Sequence, residues 1–254
     1  MPSPRGNWGG GGGERPPLGG TVVLFAIVTA IIGYGSLKSG ALSKVTFIYF
    51  AALVPSVILH EISHGWLADR FGDPTARSAG RLTLNPLRHV DILGTFIIPG
   101  VLLLTGHSAF GYAKPVPVNT AQMSRNKSMM VGLIGPITNL LLVAVATVTI
   151  HIVYAQRTSL NESTAQWTFT TLLLFGRANI VLAIFNLIPI PPLDGSSVVE
   201  RFLPQKYMYQ YLQFRRYAMI LLLVLMLAYG KVLTILFDPA IRFWINTFTP
   251  FEIP

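Results

Sequence analysis

Six apolar runs, separated by short polar segments, dominate the pattern of this chain. They cover positions 21–37, 46–68, 92–105, 128–155, 168–193 and 217–237. Most of them are long enough to cross the hydrocarbon core of a bilayer, which takes about 20 helical residues. The pattern therefore predicts an all-α polytopic membrane protein with about five to six transmembrane helices.

The composition agrees with this class, because 52% of the 254 residues are hydrophobic and only 11% are charged. A typical soluble domain carries about 25% charged residues. The formal net charge of +9 could indicate a nucleic-acid partner, but the basic residues lie in short loops between apolar runs. That distribution is typical of membrane orientation, and we expect no nucleic-acid partner. The chain has no cysteine, which excludes disulfides and thiolate metal ligands.

The sequence predicts three parts of unequal size. Positions 1–20 are rich in Gly and Pro and predict a flexible tail. A membrane domain is expected over 21–237, with its core at about 46–200. The remaining residues, 238–254, are expected to form an interfacial C-terminal tail, because aromatic side chains favour the membrane surface.

His60, Glu61 and His64 form a His-Glu-x-x-His motif inside the second apolar run. Residues four apart share one face of a helix, so both imidazoles can bind one cation while Glu61 points at the neighbouring coordination position. Neutral imidazole suits zinc, and a carboxylate beside a zinc-bound water can accept its proton. The motif alone also occurs by chance. Three ionisable groups in a membrane helix are costly, however, and this context favours a functional site.

Asp194 is the candidate for a third ligand, since catalytic zinc usually has three protein ligands and one open position. It ends the segment Asn186 to Asp194, which contains Pro189, Pro191 and Pro192. These prolines exclude a regular helix, and the following glycine permits a close approach of the backbone. An ordinary Pro/Gly turn at the membrane surface is the alternative interpretation.

The two motifs together resemble the signatures of the site-2 protease family of intramembrane zinc metalloproteases, HExxH and a distant LDG. Segments 85–95, 111–118 and 135–139, the last reading GPITN, are similar to a compact bacterial branch without PDZ or CBS domains. The resemblance implies one zinc ion per chain, with His60, His64 and Asp194 as its ligands. It also implies Glu61 as general base, and Asn139 as a catalytic residue near the substrate carbonyl or its oxyanion.

The function implied by this resemblance is an endopeptidase that cuts membrane proteins in or near their transmembrane segments, in regulated intramembrane proteolysis. The expected partners are a transmembrane protein substrate and the lipid bilayer, and the oligomeric state is open. A different class of function uses the same four side chains. In a polytopic metal-ion transporter or channel they would bind a passing ion.

The positions of the motifs constrain the topology. His60 and Asp194 both lie late in their runs, so these two runs must be parallel, with an odd number of crossings between them. The run at 92–105 contains Pro99 and Gly100, and we expect it to re-enter rather than cross. The segment near 81–127 would then be re-entrant or partly extended, and 114–118 could pair with a substrate strand.

The distribution of basic residues gives an orientation for this topology. With a cytoplasmic N-terminus, thirteen Lys and Arg lie in inside segments and four in outside segments. The expected location is a cell membrane, the bacterial inner membrane, crossed several times by the chain. The active site would lie nearer the cytoplasmic face.

Overall fold

The computed structural model describes residues 44–89, 114–228 and 230–252. Within these ranges the chain forms seven α-helices and no β-strand, which confirms the all-α class for this part of the protein. The helices are α1 (Lys44–Arg70), α2 (Thr75–Ser78), α3 (Arg125–Ala155), α4 (Glu162–Leu187), α5 (Ser196–Phe202), α6 (Gln205–Ala228) and α7 (Gly230–Phe248). Single 3-10 turns lie at Pro86–Arg88, Thr120–Gln122 and Arg157–Ser159.

Local sequence explains where the long helices begin and end. The side chain of Asn161 accepts a hydrogen bond of 2.8 Å from the Thr164 N–H and so caps the start of α4. Ser124 caps α3 in the same way, through the N–H of Lys127. Helix α4 ends at Leu187 because Ile188 precedes a proline, which disfavours helical backbone.

Three of the described helices are long and apolar enough to cross a membrane: Phe47–Arg70, Arg125–Ala155 and Glu162–Leu187. The predicted runs 21–37 and 92–105 lie outside the described residues, as does the predicted tail at 1–20. The total of five to six crossings therefore stays a prediction.

Contacts along the three long helices give their relative directions. From the start of α1 to its end, Lys44 lies 5.6 Å from the Trp167 ring centroid, Ser56 bonds Asn179, and His60 approaches Asp194. Residues later in α1 thus contact residues later in and just after α4, so the two helices run parallel. Helix α3 is antiparallel to both, because His60 contacts Asn139 whereas the later His64 contacts Val131.

The last helix packs on this three-helix core. Trp244 of α7 fills the space over Gly176, where an added Cβ would lie 2.1 Å from the indole ring. Its indole N–H donates a 2.8 Å hydrogen bond to Thr147 Oγ1 in α3. The apolar cluster around it consists of Val143, Ile150, Ile180, Phe185, Leu193, Phe237, Ile241 and Ile245. Helix α7 runs through position 238, where the sequence predicts that an interfacial tail begins, and this boundary stays a prediction.

The outer face of α3 is apolar and exposed. Its side chains are Ile137, Leu140, Leu141, Val145, Val148 and Ile152. Such a continuous apolar surface on a long helix is the kind that lipid covers. This face agrees with the expected membrane environment of the three-helix core.

The polar ends of α1 and α3 lie on the same side of the core. Lys127, near the start of α3, stacks over the ring of Phe71, which follows α1. The N–H of Lys114 donates a 2.8 Å hydrogen bond to the carbonyl of His89. The two residues that flank the intervening segment are therefore in contact, and its re-entry stays a prediction. Its own path lies outside the described residues.

Candidate metal centre

Helix α1 presents His60 and His64 on its inner face, one turn apart. Their side chains are buried, with 5% and 8% of the residue surface exposed. The two Nε2 atoms lie 3.1 Å from each other, and the rings meet edge to face. The spacing of four residues thus brings both imidazoles to one point, as the sequence predicts.

Asp194 reaches the same point from the loop after α4. The loop is held by its own backbone, since Gly195 N–H donates a 2.6 Å hydrogen bond to the carbonyl of Asn186. A Cβ on Gly195 would lie 2.2 Å from the carbonyl oxygen of Leu187, so only glycine allows this approach. The close turn places Asp194 Oδ2 3.0 Å from Nε2 of His60 and 3.3 Å from Nε2 of His64.

These three atoms form a triangle of the size that zinc requires. A tetrahedral zinc ion with bonds of about 2.0–2.1 Å holds its ligand atoms roughly 3.3 Å apart. The observed separations of 3.0, 3.1 and 3.3 Å are close to this value. In the described part of the chain, His60, His64 and Asp194 are the cluster of side chains that could hold a metal ion.

The backbone of α3 orients His64. Its Nδ1 lies 2.6 Å from the carbonyl oxygen of Val131. A carbonyl oxygen only accepts hydrogen bonds, so the proton of this imidazole must be on Nδ1. The lone pair of Nε2 is then directed at the centre of the triangle, as a metal ligand requires.

A chain of buried side chains orients His60. Asn179 Nδ2 donates to the carbonyl of Phe175 and to Ser56 Oγ, which leaves its Oδ1 to accept from Asn139 Nδ2 at 2.8 Å. Asn139 Oδ1 therefore faces His60 Nδ1, at 2.6 Å, and the imidazole donates to it. We call Ser56, Asn179 and Asn139 the polar relay; all three are 0% exposed. It turns the Nε2 lone pair of His60 toward Asp194.

With each imidazole neutral and protonated on Nδ1, the three atoms that converge are all hydrogen-bond acceptors. Asp194 Oδ2 is buried and has no hydrogen-bond partner among the described residues. Gly135 of α3 leaves room beside this point, because a Cβ there would lie 2.4 Å from Nε2 of His64 and 2.7 Å from Nε2 of His60. Converging lone pairs beside an open space fit a bound cation, and the two imidazoles with one carboxylate suit zinc.

Glu61 lies beside the ligands and is partly buried. The backbone N–H of Val116 donates a 2.9 Å hydrogen bond to its Oε2. The carboxylate is therefore held in one orientation by a segment 55 residues away in the sequence. The sequence carries no signal for this contact, because any residue except proline can supply a backbone N–H.

The resemblance implies that Asn139 lies near the substrate carbonyl or its oxyanion. In the structure the side chain of Asn139 contacts His60. Asn179 and Ser56, which complete the polar relay, belong to none of the sequence motifs. An asparagine in an apolar run is the signal that could have identified Asn179. His89 and His151 lie apart from the centre and bond the backbone carbonyls of Thr83 and Phe248.

A known protein family matches part of the chain. The sequence profile of Peptidase family M50 matches residues 149–229, which include Asp194 but not the two histidines. None of the solved structures matches the chain. The match to the profile therefore says nothing of His60 and His64, which lie before the matched residues.

Relatives match a larger part of the chain. "Putative zinc metalloprotease YwhC" of Bacillus subtilis is 34% identical over 175 residues, 68% of this chain and 77% of the relative. "Putative zinc metalloprotease Rip2" of Mycolicibacterium smegmatis is 28% identical, over 61% of this chain and 57% of the relative. A Rip2 protein of Mycobacterium tuberculosis is 28% identical, over 74% and 70%. The chain therefore belongs to Peptidase family M50, the site-2 protease family, and is a zinc metalloprotease.

Proposed function

We propose that the protein is an intramembrane endopeptidase, which hydrolyses peptide bonds in or near the transmembrane segments of other proteins in regulated intramembrane proteolysis. The observation that carries this proposal is that the three candidate ligands meet inside a bundle of three apolar helices. His60 lies ten residues before Arg70, the polar end of α1. At 1.5 Å per residue this is about 15 Å, a depth within a hydrocarbon core of about 30 Å.

Glu61 is the residue that moves protons in the proposed reaction. When bound, zinc acts as a Lewis acid toward the substrate carbonyl and lowers the pKa of water. Val116 engages Glu61 Oε2, so Oε1 accepts the proton of the attacking water. The water oxygen forms the new bond to the carbonyl carbon, and Glu61 returns the proton to the amide nitrogen as the C–N bond breaks. The products are a carboxylic acid and an amine.

Asn139 acts through His60 in this proposal. Its Oδ1 and its Nδ2 both have partners inside the core, and the residue is fully buried. These contacts support a positioning role, in which Asn139 holds the ring of His60 for the metal. Its predicted contact with a substrate carbonyl or oxyanion would require breaking these bonds, and it stays a prediction.

The proposed topology has a cytoplasmic N-terminus and a multi-pass chain with the active site nearer the cytoplasm. It is supported by the parallel direction of α1 and α4 and by the bond that joins Lys114 to His89. Reporter fusions after residue 115 should report a cytoplasmic location. An extracytoplasmic signal there would refute this topology, which combines a cytoplasmic N-terminus with the re-entry of 92–105.

The proposed function is tested by zinc analysis and by cleavage of a panel of single-span membrane proteins. We expect Glu61→Gln to keep its zinc and to lose activity by about 10²–10⁴-fold, the usual contribution of a general base. Glu162→Gln, at the exposed start of α4, is the matched control and should cleave normally. Equal cleavage by the wild type and Glu61→Gln would refute the mechanism. Zinc uptake into vesicles without cleavage would instead favour a transporter.

A further inference from the structure

A short segment at positions 114–119 crosses the end of the metal-binding helix, and we call it the strap. It has no regular secondary structure. Two of its residues precede a proline and two are prolines, so its backbone is restricted to extended conformations. Its first N–H bonds the carbonyl of His89, and its last, that of Asn119, bonds Asp73 Oδ2 at 2.6 Å.

The middle of the strap packs tightly on α1. Val116 is 7% exposed, and its Cγ1 occupies the space over Gly65, where an added Cβ would lie 2.7 Å away. Gly65 directly follows His64, so the strap rests on the turn that carries the metal site. The side chain of Val116 packs on Gly65 and its N–H bonds Glu61, so both contacts hold the strap against the same turn of α1.

The backbone donors of the strap are almost all engaged in these contacts. Lys114, Val116 and Asn119 donate to His89, Glu61 and Asp73, and the two prolines have no N–H to donate. Among the described residues, only Val118 of the strap has an N–H without a partner. Adding a substrate strand requires a row of free donors and acceptors. The strap lacks this row of donors, and its engaged donors point to a different role.

We propose that the strap is a clamp for the general base, in which the N–H of Val116 positions the Glu61 carboxylate. This inference rests on the proposed function, because it assigns a role relative to the reaction of Glu61. A carboxylate bound through Oε2 keeps Oε1 directed at the water that it deprotonates. Val116 is then a positioning residue, and its contribution comes from the main chain.

Removing the Val116 donor tests the clamp in the full-length zinc-loaded protein. Val116→Pro deletes the N–H, and the control Val118→Pro puts a proline where the N–H has no partner among the described residues. We expect Val116→Pro to lower kcat at least tenfold with KM changed less than twofold, and Val118→Pro to stay within threefold of the wild type. Equal kcat values for Val116→Pro and Val118→Pro, with zinc retained in both, would overturn the clamp.

A second measurement does not depend on activity or on the folding of a proline variant. Selective ¹⁵N-valine labelling reports the exchange of the Val116 and Val118 amide protons with solvent. In the wild type we expect Val116 to exchange at least tenfold more slowly than Val118, and in Glu61→Ala we expect this difference to disappear. Equal exchange rates in the wild type would overturn the clamp whether or not the protein cleaves. If Val116 exchanges more slowly than Val118 in the wild type but Glu61→Gln cleaves normally, the proposed function is refuted instead.

Discussion

Two different regions of the core orient the two histidines of the metal centre, although these lie one turn apart in α1. His64 depends on the main chain, because the carbonyl of Val131 accepts its Nδ1 proton. His60 depends on side chains, because the polar relay reaches it through Asn139. A main-chain acceptor persists through any substitution that leaves α3 in place. The side chains of the relay can be removed one at a time, so the two orientations can be separated by mutation.

The largest loss of zinc affinity is expected at Gly135, which lies against both imidazoles. In Gly135→Ala the new Cβ would lie 2.4 Å from Nε2 of His64 and 2.7 Å from Nε2 of His60, so both rings must move. We expect zinc affinity to fall by more than about 100-fold, beyond the effect of losing one supporting bond. The measurement is competition against chelators of graded affinity. Ile137→Ala, on the exposed face of α3, is the control, and equal affinity in both variants would contradict the predicted crowding.

Asn139→Ala should break the orientation of His60 and leave that of His64. It removes the acceptor of the His60 Nδ1 proton and leaves Asn179 Oδ1 without its donor. We expect zinc affinity to fall about 10–100-fold, the usual range for such a supporting partner. Thr138→Ala is the matched control, because the hydroxyl of Thr138 donates to the carbonyl of Ile134 in its own helix. If Asn139→Ala binds zinc as tightly as this control, His60 does not need the relay.

Asn179→Leu should have a smaller effect of the same kind, because it acts on His60 only through Asn139. We expect zinc affinity to fall about three- to tenfold, as for one bond in a longer network. Thr171→Val, in the same helix, is a control that loses a hydroxyl bonded within α4. The double variant with Asn139→Ala should be no worse than Asn139→Ala alone. Additive losses would show that the two asparagines act independently.

Asp73→Asn should alter the orientation of neither histidine, because Asp73 bonds Thr75 and Asn119. It therefore tests stability apart from the metal centre. Burial raises the pKa of Asp73, but hydrogen bonds from Thr75 and Asn119 outweigh burial and lower it below its usual value. A carboxyl with a lowered pKa in the folded state stabilises the fold above its unfolded pKa of about 3.9, and this stability disappears as the pH falls through the folded pKa.

We therefore expect Asp73→Asn to lower the stability by about 1 kcal/mol at neutral pH, with zinc affinity unchanged. The loss should shrink below about pH 4, as the wild-type carboxyl is protonated. Thermal unfolding of both proteins in one detergent measures this difference, from which the other titrating groups cancel. A gap that widens toward low pH would contradict the assignment.

The GPITN segment, residues 135–139, is a motif whose contacts differ from those that the resemblance implies. The resemblance covers residues 135–139 and implies that Asn139 lies near the substrate carbonyl or its oxyanion. The structure assigns Gly135 and Asn139 contacts with the imidazoles, Gly135 by leaving space and Asn139 by accepting a proton. A motif identifies residue types that the site requires, but it does not say which atom each one contacts.

The spacing of His60 and His64 and the prolines before Asp194 were enough to predict the three candidate ligands and the parallel direction of two helices. Helical periodicity and the conformational limits of proline act over a few residues, so they can be read directly from the chain. The contacts of Val131, Asn179 and Val116 depend on the packing of α3, α4 and the strap against α1, over separations of 55 to 123 residues. Only the tertiary structure decided these contacts, because two of the three are made by main-chain atoms that every residue carries, and the third by an asparagine whose partners lie on other helices.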